Sequence, residues 1–147
     1  MSGDTQRLLD SIAYVAWHGH RLRLQEPGRV VVAQADRADL HNYIGTVHAG
    51  ALYTLAETAA GVAADGIAAP MGGFILLSAA EARYTRRAEG ALEAEARLDA
   101  AADTAALARE FADSGRGRLA IEVVVRDPGG EVVFEGTFRY AIRRRTR

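Results

Sequence analysis

Apolar residues at positions 8, 9, 12, 13, 15 and 16 recur at helical spacing and predict an amphipathic helix from Thr5 to His18, with Gly19 placed to end it. Two short strands are expected next, Arg21–Gln25 and Val30–Ala35, separated by the Pro27-Gly28 turn. A polar connection, Asp36–Thr46, leads into the clearest helix of the chain, which begins at Val47 or His48 and runs to Ala64. Its Leu52, Leu55, Ala56, Ala59 and Ala60 occupy adjoining helical positions, and the many small residues suit a buried central helix. Thr46 is a candidate cap for its first turn.

The second half alternates in twos. Phe74, Leu76, Ser78, Ala80, Ala82 and Tyr84 are expected on one face of a long strand, with Ile75, Leu77, Ala79, Glu81, Arg83 and Thr85 on the other. Leu92, Ala94, Ala96 and Leu98 alternate with charged residues, as in a strand with one buried face. Residues 103–112 change to a helical period. A hairpin closes the chain, with Leu119–Val125 and Val132–Ile142 flanking Asp127-Pro128-Gly129-Gly130. The order implies a single α+β domain spanning residues 1–147, an antiparallel sheet wrapped around a central helix.

Composition narrows the chemistry. The 147 residues are 49% hydrophobic and 25% charged, with a net charge of −1, which argues against a simple nucleic-acid binder. All 18 basic residues are Arg, so a lysine Schiff base or a phosphate-loop lysine is impossible. The absence of Cys removes disulfides, thiolate nucleophiles and cysteine metal sites, and is compatible with a cytoplasmic location. The N-terminus does not have the pattern of a signal peptide. Glu57 and Asp65 interrupt the Ala-rich segment, making it a poor membrane span. Arg143, Arg144, Arg145 and Arg147 form a basic cluster expected to be a solvated tail.

The stretch from Asn42 through Gly45-Thr46-Val47-His48-Ala49-Gly50 to Glu57 holds the best candidates for chemistry. Amides at a helix N-terminus are unpaired and lie at the positive end of the dipole, where they can stabilise an oxyanion. Ala49 and Gly50 leave such amides open to approach. Glu57 is a carboxylate in an apolar helix, able to act as a nucleophile or as a base on water. Eight residues of one helix separate Ala49 from Glu57, about 12 Å. If both act on one small group, a second chain must supply one of them, which implies a homodimer.

The run Asn42, Gly45, His48-Ala49-Gly50, Glu57 and Gly61 resembles the hotdog-fold thioesterases of the phenylacetate-pathway (PaaI-like) type. The later part of the chain, ending Gly136-Thr137-Phe138-Arg139-Tyr140-Ala141-Ile142, is similar to an uncharacterised hotdog subgroup close to those enzymes. The resemblance implies an acyl-CoA thioesterase, dimeric or tetrameric, without a metal or redox cofactor, coenzyme A being part of the substrate. Glu57 would be the base or nucleophile, and the Ala49 amide would polarise the thioester carbonyl bound from the other subunit. Asn42 would orient water or the carbonyl; His48 would hold the loop or help bind substrate. Gly50 and Ser78 would lie beside the substrate, with Leu52, Phe74 and Leu76 lining an acyl channel that runs along the dimer interface. Arg83, Arg86 and Arg87 would meet coenzyme A phosphates. Where the family has His-Gly-Gly this chain has His48-Ala49-Gly50, which keeps the backbone donor, and Arg86-Arg87-Ala88 stands where Arg-Pro-Ala is frequent.

Plainer readings stand beside these. Glu57 could be a structural carboxylate, Asn42 a turn residue, and His48 a simple cap. Trp17 is expected to anchor the first helix on the sheet. His18, His20 and His41 do not have a recognised metal-ligand spacing, and Gly115, Gly117 and Gly129 do not make a dinucleotide fingerprint. A non-catalytic hotdog protein binding acyl-CoA or an apolar ligand is the main functional alternative. A dehydratase-like hotdog enzyme ranks below it, and an unrelated cone-shaped α+β fold would leave the Asn42-to-Glu57 spacing without a reason.

Overall fold

The computed structural model describes residues 2–146. The first predicted helix is two: α1 (Ser2–Ser11) and α2 (Ala13–His18), broken where Ile12 takes an extended conformation (φ −88°, ψ 103°). Gly19 ends α2 in the left-handed region. Strands β1 (Arg21–Glu26) and β2 (Arg29–Gln34) follow, then a single turn at Ala38–Leu40 and the central helix α3 (Ala49–Ala68). Strands β3 (Gly73–Tyr84) and β4 (Leu92–Leu98), helix α4 (Thr104–Ser114), and strands β5 (Arg116–Arg126) and β6 (Val132–Arg144) complete the chain.

The six strands form one antiparallel sheet in the order β1-β2-β4-β5-β6-β3, and α3 packs against β2 through β6. Leu55, Ala56, Ala59, Ala60 and Ala64 are fully buried on α3, facing a sheet that supplies Val32, Ala94, Ile121, Phe134 and Phe138. Alanines let the helix backbone approach the sheet closely, so the bulky side chains come from the strands. α3 continues four residues past the predicted end at Ala64, through Asp65, Gly66 and Ile67 to Ala68, because the last turn still buries Ala68.

The strict alternation expected in the long strand fails at one place. Leu77 pairs with Tyr140 and Ala79 with Arg139, so Ser78 is an extra residue in a bulge. A bulge of one residue exchanges the faces. Ile75 and Leu77 therefore share one face of β3 with Ala80, Ala82 and Tyr84, rather than with Ala79 and Glu81, and from Leu76 onward the strand is exposed. β3 is an edge strand; Leu76 (53%), Leu77 (39%) and Tyr84 (47%) are exposed along it.

Two other expectations are corrected. Trp17 does not rest on the sheet; it is exposed, with the Arg37 guanidinium 4.9 Å from its ring centre. Arg143 and Arg144 are not a loose tail, since β6 runs through them and Arg144 donates to the Phe111 and Ala112 carbonyls at the end of α4. Arg145 lies just past the strand and Arg147 lies outside the described residues.

Gly73 opens β3 where three elements converge. A Cβ there would stand 2.7 Å from Ile142 Cγ2 and 3.2 Å from both the Ala68 carbonyl oxygen and Phe111 Cζ. Gly73→Ala should overpack this junction and cost about 1–3 kcal/mol, read as a lower urea midpoint at unchanged m-value.

Candidate active site

The connection before α3 is held by one side chain. Asn42 Oδ1 accepts from the amides of Ile44 and Thr46, both at 3.1 Å, and its Nδ2 donates to Thr46 Oγ1 at 2.8 Å. The water-orienting part expected of Asn42 therefore competes with a set of loop bonds that already engages most of its amide. Thr46, the predicted cap, is buried as a partner of Asn42, and the capping residue is His48. With φ −61° and ψ 139°, His48 turns its ring so that Nδ1 accepts from the Gly50 amide at 2.8 Å. That bond fixes the ring proton on Nε2.

The remaining amides of the first turn divide unevenly. Ala51 and Leu52 donate to the His48 carbonyl. Gly50 is taken by the His48 ring, so its backbone is not available to a substrate. The Ala49 amide alone has no acceptor among the described residues, and Ala49 is exposed. A 20-residue helix thus offers a single outward-facing donor at its positive end.

Glu57 lies two turns further along α3. Tyr140, on the core face of β6, donates to Glu57 Oε2 at 2.9 Å. Burial raises the Glu57 pKa above the ordinary carboxylate range, and the Tyr140 hydrogen bond opposes that rise. Burial, then the negative charge of Glu57, pushes the Tyr140 phenol up as well, so it stays protonated as a donor. Gly61, one turn beyond, makes room: a Cβ there would sit 3.1 Å from Glu57 Oε2. Tyr53, half-buried one turn before Glu57, packs on Phe138 with ring centres 5.5 Å apart.

Tyr140 is the partner of Glu57 that the sequence alone did not single out. Its place on the alternating core face of the last strand was visible, and a buried phenol there needs an acceptor. Glu57 was the evident polar group on the facing helix. Glu57 also lines a cavity of about 270 Å³ roofed by α1 and α2, through Leu8, Leu9, Ile12 and Val15. Leu52, Phe74 and Leu76 do not line it: Leu52 is core, Phe74 is half-buried, and Leu76 lies on the open face of β3. Ser78 sits in the bulge and donates to the Arg139 carbonyl at 3.0 Å.

The arginines proposed for phosphate are only partly available. Arg83 pairs with Glu135 at 3.0 Å and Arg86 with Glu131 at 3.7 Å, whereas Arg87 has no carboxylate partner among the described residues. The histidines serve locally. His41 meets Asp36 at 3.1 Å, His18 Nδ1 lies 2.9 Å from the Tyr14 carbonyl oxygen, and buried His20 lies 3.0 Å from Thr58 Oγ1. Burial, reinforced by neighbouring His18, lowers the His20 pKa to about 4. Among the described residues, groups of three or more His, Asp or Glu suited to a metal do not occur, and no helix is long and apolar enough to cross a membrane.

The sequence profile of DUF4442, a domain of unknown function, matches residues 8–142. The chain belongs to the DUF4442 family. Its fold is that of the hotdog thioesterase superfamily, with the six-stranded sheet and long central helix already described. A Pseudomonas aeruginosa protein of unknown function, described as a probable thioesterase, is 31% identical with a TM-score of 0.85, over 97% of this chain and 95% of that one. Another P. aeruginosa protein, a thioesterase solved as a glutamine-to-alanine variant, shares 12% identity at TM-score 0.80 over 97% and 94% of the two chains. A Staphylococcus aureus thioesterase, also a glutamine-to-alanine variant, shares 16% at 0.75 over 89% and 98%. The last two likenesses speak to the fold alone. No functionally curated protein matches the sequence.

Burial makes the charge on Glu57 costly, and the sign follows from linkage. Below the ordinary carboxylate range, about pH 4.3, Glu57 is protonated in both folded and unfolded chains. As pH rises through the higher folded pKa, the unfolded chain has already ionised, and the folded state loses stability. Glu57→Gln should therefore unfold at a higher urea concentration than the parent at pH 7. The gap should close as the pH falls into the ordinary carboxylate range.

Proposed function

We propose that this DUF4442 protein hydrolyses acyl-CoA thioesters at a site shared between two chains. The observation that carries the reading is the pairing of one free helix-end amide, Ala49, with one half-buried carboxylate of raised pKa, Glu57, on the same helix. About 12 Å of helix separates them, too far for both to reach one thioester within a chain. The Ala49 amide of one subunit accordingly serves the Glu57 of its partner. The exposed edge of β3, with Leu76, Leu77 and Tyr84 along it, supports association there, since an open apolar edge strand is a ready pairing surface.

Glu57 acts as a base. With Oε2 held by Tyr140, the other oxygen takes a proton from water. The water oxygen bonds to the thioester carbon, and the charge arriving on the carbonyl oxygen is met by the Ala49 N–H. The C–S bond then breaks, the electron pair leaves with sulfur, and the proton on Glu57 neutralises the thiolate. The products are a carboxylic acid and coenzyme A. Arg87, exposed and without a carboxylate partner, is the arginine best disposed toward a coenzyme A phosphate.

Thiol release from a panel of acyl-CoAs tests this reading. Glu57→Ala should lack the turnover that the wild-type protein shows, and equal rates would remove Glu57 from the chemistry. Ala49→Pro is the sharper variant. Proline is tolerated as the first helical residue, and His48 already has the extended backbone that a following proline demands. The fold should survive while the N–H is lost, with kcat falling about 100- to 1,000-fold. Saturable acyl-CoA binding without turnover would favour a non-catalytic binder instead.

Tyr140→Phe removes the one hydrogen bond that favours ionised Glu57. The acid limb of the pH–rate profile should move to higher pH, with the alkaline side of the plateau much less affected. An unshifted limb would mean that Glu57 does not titrate in the rate.

A further inference from the structure

The cavity beside Glu57 carries a feature that hydrolysis itself does not use. Its walls are mostly apolar, with Leu8, Leu9, Ile12, Val62 and Ile75 of β3 among them, while Thr5, Gln25 and Thr58 also line it. At about 270 Å³ it lies just under the usual range of ligand pockets, which begins at ~300 Å³. A second carboxylate, Asp65, also lines it. Glu57, Gly61 and Asp65 follow one another at intervals of four, so they fall along one stripe of α3. The two carboxylates are about 12 Å apart along the axis, with a glycine between them that leaves the passage clear.

The two acids are held differently. Glu57 receives the Tyr140 hydroxyl. Asp65 is half-buried, and its carboxylate has neither a hydrogen bond nor an ion pair among the described residues. Water is its remaining partner. An apolar tail pushed against it would strip that water and leave a charge without compensation, which is costly. A tail that stops short would fill the apolar middle and leave Asp65 hydrated.

We infer that this cavity is the acyl chamber of the proposed thioesterase and that Asp65 is its specificity-determining far wall, restricting the enzyme to short acyl groups. The inference rests on the thioesterase reading for its substrate. It assigns to α1 and α2 the roof of the chamber, and to Asp65 discrimination by rejection rather than by contact.

The test pairs steady-state thiol release with calorimetric binding for straight-chain acyl-CoAs from butanoyl to dodecanoyl, using wild type, Asp65→Leu and Asp65→Asn. Wild type should favour the short end of the series. Asp65→Leu should raise kcat/KM and affinity for decanoyl- and dodecanoyl-CoA about tenfold or more relative to butanoyl-CoA. Asp65→Asn, which loses the charge but keeps the shape and folds as the more conservative variant, should fall between. Chain-length profiles that superimpose for all three proteins would overturn the inference, as would a wild type that already prefers dodecanoyl-CoA. Binding separates the two levels of the proposal. Without thiol release from any substrate the thioesterase reading fails, yet a length-dependent gain in affinity on Asp65→Leu still supports the chamber. A flat affinity series removes the chamber whatever the turnover.

Discussion

Eight residues of uninterrupted α-helix separate the Ala49 amide from the Glu57 carboxylate, and this fixed spacing governs every functional reading of the chain. A helix cannot be bent to bring its N-terminus onto its own third turn, least of all one whose Leu55, Ala56 and Ala59 are clamped on a sheet. The helix is largely buried because its sequence is small and apolar, and because five strands pack on it. The stability of the core and the proposed need for a second chain thus come from one element. The edge strand β3 enters for the same reason, as the sheet boundary with exposed apolar residues where another chain can be met.

Glu57 is the point at which that apolar helix yields. Its carboxylate is tolerated because Gly61 leaves a hollow for it and Tyr140 reaches across from β6 to donate. One neighbour supplies space and the other supplies a proton donor; burial still wins, leaving a carboxylate more basic than an exposed one. A base of raised pKa is what water activation requires near neutral pH. At the other end of the same stretch, His48 takes the Gly50 amide with its ring and so leaves Ala49 as the open donor. Capping falls to His48, while the adjacent Ala49 amide is left open.

Much of this was legible in the amino-acid order. Alternation located the strands within a residue or two, apart from the start of β5, three residues before the expected Leu119, and the small-residue stripe marked α3 as central. The Asp127 turn also followed its composition, since Asp127 Oδ1 accepts from the Gly129 and Glu131 amides. What escaped was set by tertiary context. Periodicity carries straight through Ser78, because a bulge is decided by how β3 aligns with β6. Ile12 looked like one more apolar helical position, whereas the chain bends there to pass from α1 to α2. Thr46 is an ordinary capping residue by type, yet its hydroxyl is taken by Asn42 and the cap falls to a histidine. Glu57 and Ala49 were identifiable, while Tyr140, 83 positions away from Glu57 in sequence, could be joined to it only once the sheet was assembled.

The most direct measurement of a shared site mixes two defective chains. Ala49→Pro retains Glu57 and lacks the amide, whereas Glu57→Ala retains the amide and lacks the carboxylate. Co-expressed and purified together through different affinity tags, they form a hybrid in which one site combines the intact Glu57 of the first with the intact Ala49 of the second. Thioesterase activity in the hybrid well above that of either variant alone is the expected result. A hybrid no more active than its parents, from variants that are each folded and associated, would contradict a site built from two chains.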